Sequence, residues 1–171
     1  MWKYCRLSNK KLQLPIMSDY KGHLFNKEAI LEWLLTPGRE DYTDAQIAEF
    51  SHIKRLDDVV ELHGVEERAD TLKCQYGDIA LGETNAKLVY VVPCGDVLPR
   101  QALSGGRCPQ CGASYRESDI ITINPTSAKT TKSLQDRMAT LHQEMRHHNG
   151  KLRKPKRNRM DQTQPTKIRK L

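Results

Sequence analysis

Few residues are available for a large apolar interior: 37% of the 171 residues are hydrophobic, and only two are phenylalanine. That shortage points away from one broad core and toward small cores helped by a metal. No apolar run approaches the ~20 residues needed to span a bilayer, so no membrane partner is expected. Met1-Trp2-Lys3-Tyr4-Cys5 lacks the apolar stretch of a secretory signal. Cysteines number five, an odd count that speaks against a secreted disulfide framework and for a reducing compartment. Catalytic constellations are missing too. Cys5 and Cys74 have no adjacent base to activate them and read as small buried hydrophobes. Ser104-Gly105-Gly106-Arg107 is too short for a phosphate-binding glycine loop.

Charge is present but unevenly placed. Residues 151–171 hold nine of the 28 Lys and Arg and a single acid, Asp161. The rest of the chain carries 19 bases and 20 acids, so a near-neutral body ends in a basic tail. This tail has no apolar period and is expected to be disordered. Lys151, Arg153, Lys154, Lys156, Arg157 and Arg159 form its densest part. They read as a nuclear-import segment or a phosphate-contacting one, the latter non-specific and salt-dependent.

Along the chain, Pro15-Ile16-Met17 and His23-Leu24-Phe25 read as strands joined by an Asp19-Tyr20-Lys21-Gly22 turn. Asn26 then starts a helix whose apolar face is Ile30, Leu31, Trp33, Leu34 and Leu35, stopped by Thr36-Pro37-Gly38. Glu40–Glu49 is polar, a loop or short helix. His52–Leu62 turns into an apolar strand, and 65–71 reads as an acidic linker. Leu88-Val89-Tyr90-Val91-Val92 is the most β-prone run. Residues 126–150 predict a helix capped at Ser127 or Ser133, with Leu134, Met138, Leu141 and Met145 on one face and Asn149-Gly150 as its stop.

Two stretches match position for position. Gly22-His-Leu-Phe-Asn-Lys-Glu-Ala-Ile30 aligns with Gly95-Asp-Val-Leu-Pro-Arg-Gln-Ala-Leu103. Asp58-Val-Val-Glu-Leu62 closes the first copy as Asp119-Ile-Ile-Thr-Ile123 closes the second. The chain is an internal duplication, with copies at 1–64 and 72–125.

The second copy carries Cys94, Cys108 and Cys111. Cys108-Pro-Gln-Cys111-Gly112 is a knuckle that converges two thiolates, and Cys94-Gly95-Asp96 supplies the other half of a tetrahedral site for one zinc ion. Asp96 is a harder ligand than sulfur. In the first copy Lys21 and His23 stand where Cys94 and Asp96 stand in the second, and no C-x-x-C follows. Its loops must therefore be held by hydrogen bonds and ion pairs, with His23 a hydrogen-bonding residue.

Taken twice, this pattern resembles the U-box/RING fold: an α+β chain of two small ββα modules, the first zinc-free and the second with one zinc site. Cys5-x-Leu-Ser8 with Pro15-Ile16, Phe25-Asn26-Lys27-Glu28-Ala29, Ser51-His52-Ile53, Tyr90-Val91-Val92-Pro93-Cys94-Gly95, Cys108-Pro-x-Cys111 and Asp119-Ile120-Ile121-x-x-Asn124-Pro125 together resemble the replication termination factor 2 family. That resemblance implies a nuclear, non-catalytic factor that stabilises paused replication forks for site-specific termination, or one associated with pre-mRNA splicing. The U-box/RING likeness also implies an alternative, a ubiquitin or SUMO ligase docking a conjugating enzyme. Leu7, Trp33 and Pro109 are the candidates to line its groove, although Trp33 also reads as a core residue of its helix.

Overall fold

The computed structural model describes residues 2–36, 38–82 and 87–154. Pro37 and most of the basic tail, including Lys156, Arg157 and Arg159, lie outside the described residues. The architecture is mixed α+β: three small antiparallel sheets followed by a C-terminal helix.

In the first copy β1 (Ile16–Ser18) and β2 (Leu24–Asn26) form a hairpin, and α1 (Lys27–Leu35) follows without a break. A short helix α2 (Asp44–Glu49) then precedes a 3-10 turn at Leu56–Asp58 and the return strand β3 (Val60–Glu61). β3 pairs with β1, giving the order β2-β1-β3. α2 is short and charged, but Thr43 and Gln46 close a reciprocal capping box on its first turn.

Three further strands come next: β4 (Val65–Arg68), β5 (Thr71–Cys74) and β6 (Ile79–Ala80). Residues 65–71, expected as a linker, are therefore mostly a hairpin arm. Arg68 pairs with Thr71 across a two-residue turn in which Ala69 and Asp70 both have positive φ, 49° and 64°. Such turns match strand twist, but they usually announce themselves with Asn-Gly or Asp-Gly. Here the sequence lacks that signal, and the exposed strand faces carry charge.

The second copy repeats the first. β7 (Leu88–Val91) and β8 (Val97–Pro99) form its hairpin, and β9 (Ile120–Thr122) returns beside β7, in the order β8-β7-β9. Register is kept as well: Ile16 pairs with Asn26 as Leu88 pairs with Pro99. The helix after the hairpin differs. Where α1 runs nine residues, the second copy has a three-residue 3-10 turn at Arg100–Ala102. Gly105 and Gly106, both at positive φ, follow shortly after and turn the chain toward the cysteine knuckle.

The copies dock on each other reciprocally. The Gly22 amide closes its own turn on the Asp19 carbonyl at 3.0 Å, and the Gly22 carbonyl accepts from the Asn124 amide, just past β9, at 2.9 Å. Gly95, its counterpart, accepts from the His63 amide at 2.9 Å beside β3. Each glycine has positive φ, and an added Cβ would sit 2.1 Å from the Thr122 carbonyl or 2.2 Å from that of Glu61. The two glycines that anchor the repeat in sequence thus anchor it in space. Phe25, Ile30, Trp33 and Phe50 of the first copy and Leu88, Tyr90, Val97 and Ile121 of the second belong to one buried cluster. β7 is buried on both faces. Leu88, Tyr90 and Val92 enter that shared core, whereas Val89 and Val91 join Leu98, Leu103 and Cys108 in a smaller one.

The last helix, α3 (Ala128–Gln143), is capped by Ser127, whose hydroxyl accepts from the Lys129 and Thr130 amides. It stops at Gln143, short of the expected Asn149. Met145 has φ 59° and is exposed rather than part of the apolar face. The buried residues of α3 are Leu134, Arg137 and Leu141. After it the chain doubles back, pairing Arg146 with Leu152 and burying His147 and His148. No helix among the described residues is long and apolar enough to cross a membrane.

Candidate metal centre

The β7–β8 turn carries Cys94 and Asp96 on either side of Gly95. Opposite it, the knuckle closes through the Gly112 amide on the Cys108 carbonyl and the Cys108 amide on the Ala113 carbonyl, both at 2.8 Å. Positive φ at Gly112 (78°) lets the backbone fold under the two sulfurs. The result is a cluster in which the donor atoms of Cys94, Asp96, Cys108 and Cys111 all lie within 4.8 Å of one another. The four residues singled out in sequence are brought to one point.

Burial and like charge make this cluster unfavourable for anions alone. Burial, followed by the Asp96 carboxylate and Cys108, pushes the Cys94 thiol far up, and burial likewise raises Cys108. Cys108 donates its S–H to Asp96 Oδ2 at 3.2 Å. Three thiols and one carboxylate converging in a half-buried pocket suit a divalent cation, which would offset the crowding and take the place of the protons. The cluster could hold one metal ion, and its sulfur-rich donor set fits zinc chemistry.

The equivalent place in the first copy is filled by a different device. Asp19 is fully buried and accepts from the Lys21 and His23 amides at 3.1 and 2.9 Å through Oδ1. Oδ2 meets His52 Nε2 at 2.7 Å and lies 3.4 Å from His23 Nδ1. The latter is close enough for charge interaction but not aligned as a hydrogen bond. Burial works to raise the Asp19 pKa, yet the contacts with His23 and His52 outweigh it and hold the carboxyl well below its usual range. Hydrogen bonds and charge do here what a metal would do in the second copy.

From Asp19 a polar chain crosses the whole body. Tyr90 donates its hydroxyl to the Asp19 carbonyl at 2.7 Å and contacts His148 Nε2 at 2.7 Å. Arg137 lies 2.9 Å from His148 Nδ1 and also reaches the His148 carbonyl and Asp119. Because a guanidinium only donates, Nδ1 must accept, and the imidazole proton sits on Nε2, directed at the Tyr90 oxygen. Asp19, His52, Tyr90, Arg137 and His148 were not singled out as site residues in sequence. Asp19 left a local signal there as the start of an Asp-x-x-Gly turn, and His52 and Tyr90 appear there only within the motifs of the family resemblance.

The other sequence candidates are scattered. Leu7 and Trp33 are buried, and Trp33 donates Nε1–H to the Ile53 carbonyl at 2.8 Å. Pro109 is exposed on the knuckle. Cys5 and Cys74 are buried, as expected. Lys151 and Lys154 are exposed, while Arg153 is half-buried against His142.

A family model described as "Rtf2 RING-finger" matches residues 1–170. The chain belongs to this family. Among relatives, it is 35% identical over 144 residues to "Splicing factor rtf2" of Schizosaccharomyces pombe, an overlap covering 80% of this chain and 56% of that protein. It is 31% identical over 157 residues to "Replication termination factor 2" of Sus scrofa, covering 80% and 50%. The same-named protein of Gallus gallus is 32% identical over 147 residues, covering 72% and 46%. The chain thus spans about half the length of the curated relatives it matches. Within the family frame, the cysteine–aspartate cluster is the candidate metal site of the RING-finger match.

Proposed function

We propose that this chain is a nuclear adaptor of the replication fork, built from two U-box/RING-like modules, the second held by one zinc ion on Cys94, Asp96, Cys108 and Cys111. Zinc bound there ties the knuckle to the β7–β8 turn and acts structurally, as a closed four-ligand site does. The observation that carries the reading is membership, over nearly the whole chain, of a family whose relatives are named for replication termination. Reciprocal docking of the copies supports it, since a shared core holds both modules together as one platform. In this account the platform binds protein components of a paused fork and so enforces site-specific termination. The basic tail supplies nuclear import and non-specific phosphate contact.

A second reading rests on one specific fact: the Schizosaccharomyces pombe relative is named a splicing factor. The two are separated by removing the chain from cells and measuring fork pausing at a programmed barrier and intron retention in parallel. Lost pausing supports the fork adaptor. Intron retention with normal pausing supports the splicing factor. Immunoprecipitation from nuclear extract, with and without nuclease, distinguishes complexes held by protein from those held by nucleic acid. Autoubiquitination with a panel of conjugating enzymes tests the ligase alternative. Because Leu7 and Trp33 are buried, exposed Pro109 is the groove candidate to vary. Activity lost in Pro109→Ala would replace the adaptor reading.

A further inference from the structure

Away from the cysteines, the segment Ser51–Asp58 and one side of α3 enclose a cleft of about 470 Å³. Its walls bring together His52, Lys54, Arg55, His142 and Arg153, with the ring of Tyr20 among them. These come from stretches far apart in sequence, so the basic character of the cleft is not visible in any single run. Lys54 and Arg55 are exposed, and neither has an ion pair among the described residues. The acid lining the cleft is Asp58, and it is already engaged. Its Oδ2 accepts from the Lys54 and Arg55 amides at 2.9 and 3.1 Å, and its Oδ1 lies 3.6 Å from His147. Engaged in this way, Asp58 leaves the lysine and arginine side chains free for an outside anion.

Three more features favour a nucleic-acid strand over a small free anion. Tyr20 is half-buried, its ring edge-on to His52 at 5.0 Å, and Lys21 lies 5.8 Å from its centroid. His52 is itself fixed by Asp19 through Nε2. An aromatic ring set among cations is the arrangement that stacks an unpaired base while neighbouring phosphates are held. Arg153 contributes a guanidinium 3.0 Å from His142 Nδ1, and its Nε is buried without a partner. Finally, Arg153 is followed in the sequence by Lys154 and six further bases, Lys156, Arg157, Arg159, Lys167, Arg169 and Lys170. Positive charge in the sequence therefore continues past the cleft. Its volume suits one or two nucleotide units rather than a duplex, which would meet only the rim.

We infer that this cleft binds the phosphodiester backbone of single-stranded nucleic acid, with Lys54, Arg55 and Arg153 on phosphates and Tyr20 against a base. Such binding is sequence-tolerant and strongly salt-dependent. It goes beyond the adaptor reading and fails separately from it, because it is measured on purified protein with no fork or spliceosome component present.

The test uses the full chain with the six bases from Lys156 to Lys170 replaced by glutamine, so that the tail cannot mask the cleft. Fluorescence anisotropy follows binding of labelled oligo-dT and oligo-U of about 15 nucleotides, within the known range of strand site sizes. Retained binding to either strand is expected. Lys54→Ala/Arg55→Ala should weaken it at least about tenfold and reduce the salt slope by roughly 1.4, the loss of two strand phosphate contacts. Arg68→Ala/Lys73→Ala removes the same charge from the β4–β6 sheet, which contributes nothing to the cleft, and should leave affinity unchanged. Tyr20→Ala should weaken binding without altering the salt slope. Unchanged affinity in Lys54→Ala/Arg55→Ala, equal loss in the Arg68→Ala/Lys73→Ala control, or no binding once the tail is neutralised would overturn the assignment. Tighter binding to a duplex of the same length would do so as well.

Discussion

Gly22 and Gly95 each face a backbone carbonyl at the place where a methyl group would stand. Both also hold a backbone conformation that L side chains resist. Neither obstacle can be relieved by a rotamer change, because the blocking atoms belong to the return strand of the opposite copy. Gly22→Ala and Gly95→Ala should therefore each destabilise the fold by about 2 kcal/mol or more, read from urea unfolding. Gly105→Ala serves as the comparison. It shares the positive φ but has open space around it, so only the conformational cost of roughly 1 kcal/mol applies. Equal losses at all three sites would mean that the reciprocal docking contributes nothing. His23 and Asp96 make the same point by contrast. They occupy matching positions, yet one faces a buried carboxylate and the other joins three sulfurs.

The element that ties the copies from outside is α3 together with the segment that doubles back after it. Arg137 reaches Asp119 of the second copy, while His147 lies by Asp58 and Asn149 bonds Asp57 in the first. At the centre of this strap is His148, faced by Arg137, Tyr90 and, from the first copy, Asp19 and His52. Burial, and then Arg137, push its pKa down to about 3. In the unfolded chain it should titrate near 6.5. Between those values the unfolded chain binds a proton that the folded one refuses, so stability is full above about 6.5 and falls as pH drops toward 3. Asp19, whose folded pKa is depressed, adds a further loss only once pH falls below its ordinary value of 3.8. His148→Gln removes the first component. The difference in urea midpoint between wild type and this variant should shrink from pH 7 to pH 4.5, and a constant difference would contradict the assignment. Comparison at each pH also cancels acid release of any bound metal.

Much of this element-level picture could be read in advance, and the failures have physical causes. β1, β2, α1 and β7 followed from apolar period and from turn residues such as Asp19 and Gly22. The capping box at Thr43 and Gln46 was present in the letters and would have settled α2. The 65–74 hairpin hid because Ala69-Asp70 is an unusual pair for its turn. α3 ends before the apolar period does, because Met145 fits that period but sits beyond the last turn, while Arg137 and His148 are buried in spite of their polarity. Polar burial depends on partners distant in sequence, and no periodicity reveals those. The cysteine cluster was readable since ligand spacing is local; the basic cleft was not.

Taken whole, the molecule joins two copies through a shared core but gives the second a small core of its own under the knuckle. Loss of a metal should therefore loosen residues 104–114 before it disturbs the first copy. Under limited proteolysis with a chelator, cleavage at Ser104–Arg107 should come first, leaving a protected fragment from the N-terminal side. Cleavage first within 16–62 would contradict that order. One scaffold is doubled, and in the proposed reading only the later half is held by an ion. Metal analysis of the purified chain tests it most directly, with His23→Gln and Cys108→Ser measured alongside. One zinc per chain is expected in wild type and in His23→Gln, and close to none in Cys108→Ser. A wild-type chain without metal, or a Cys108→Ser chain that keeps it, would contradict the account.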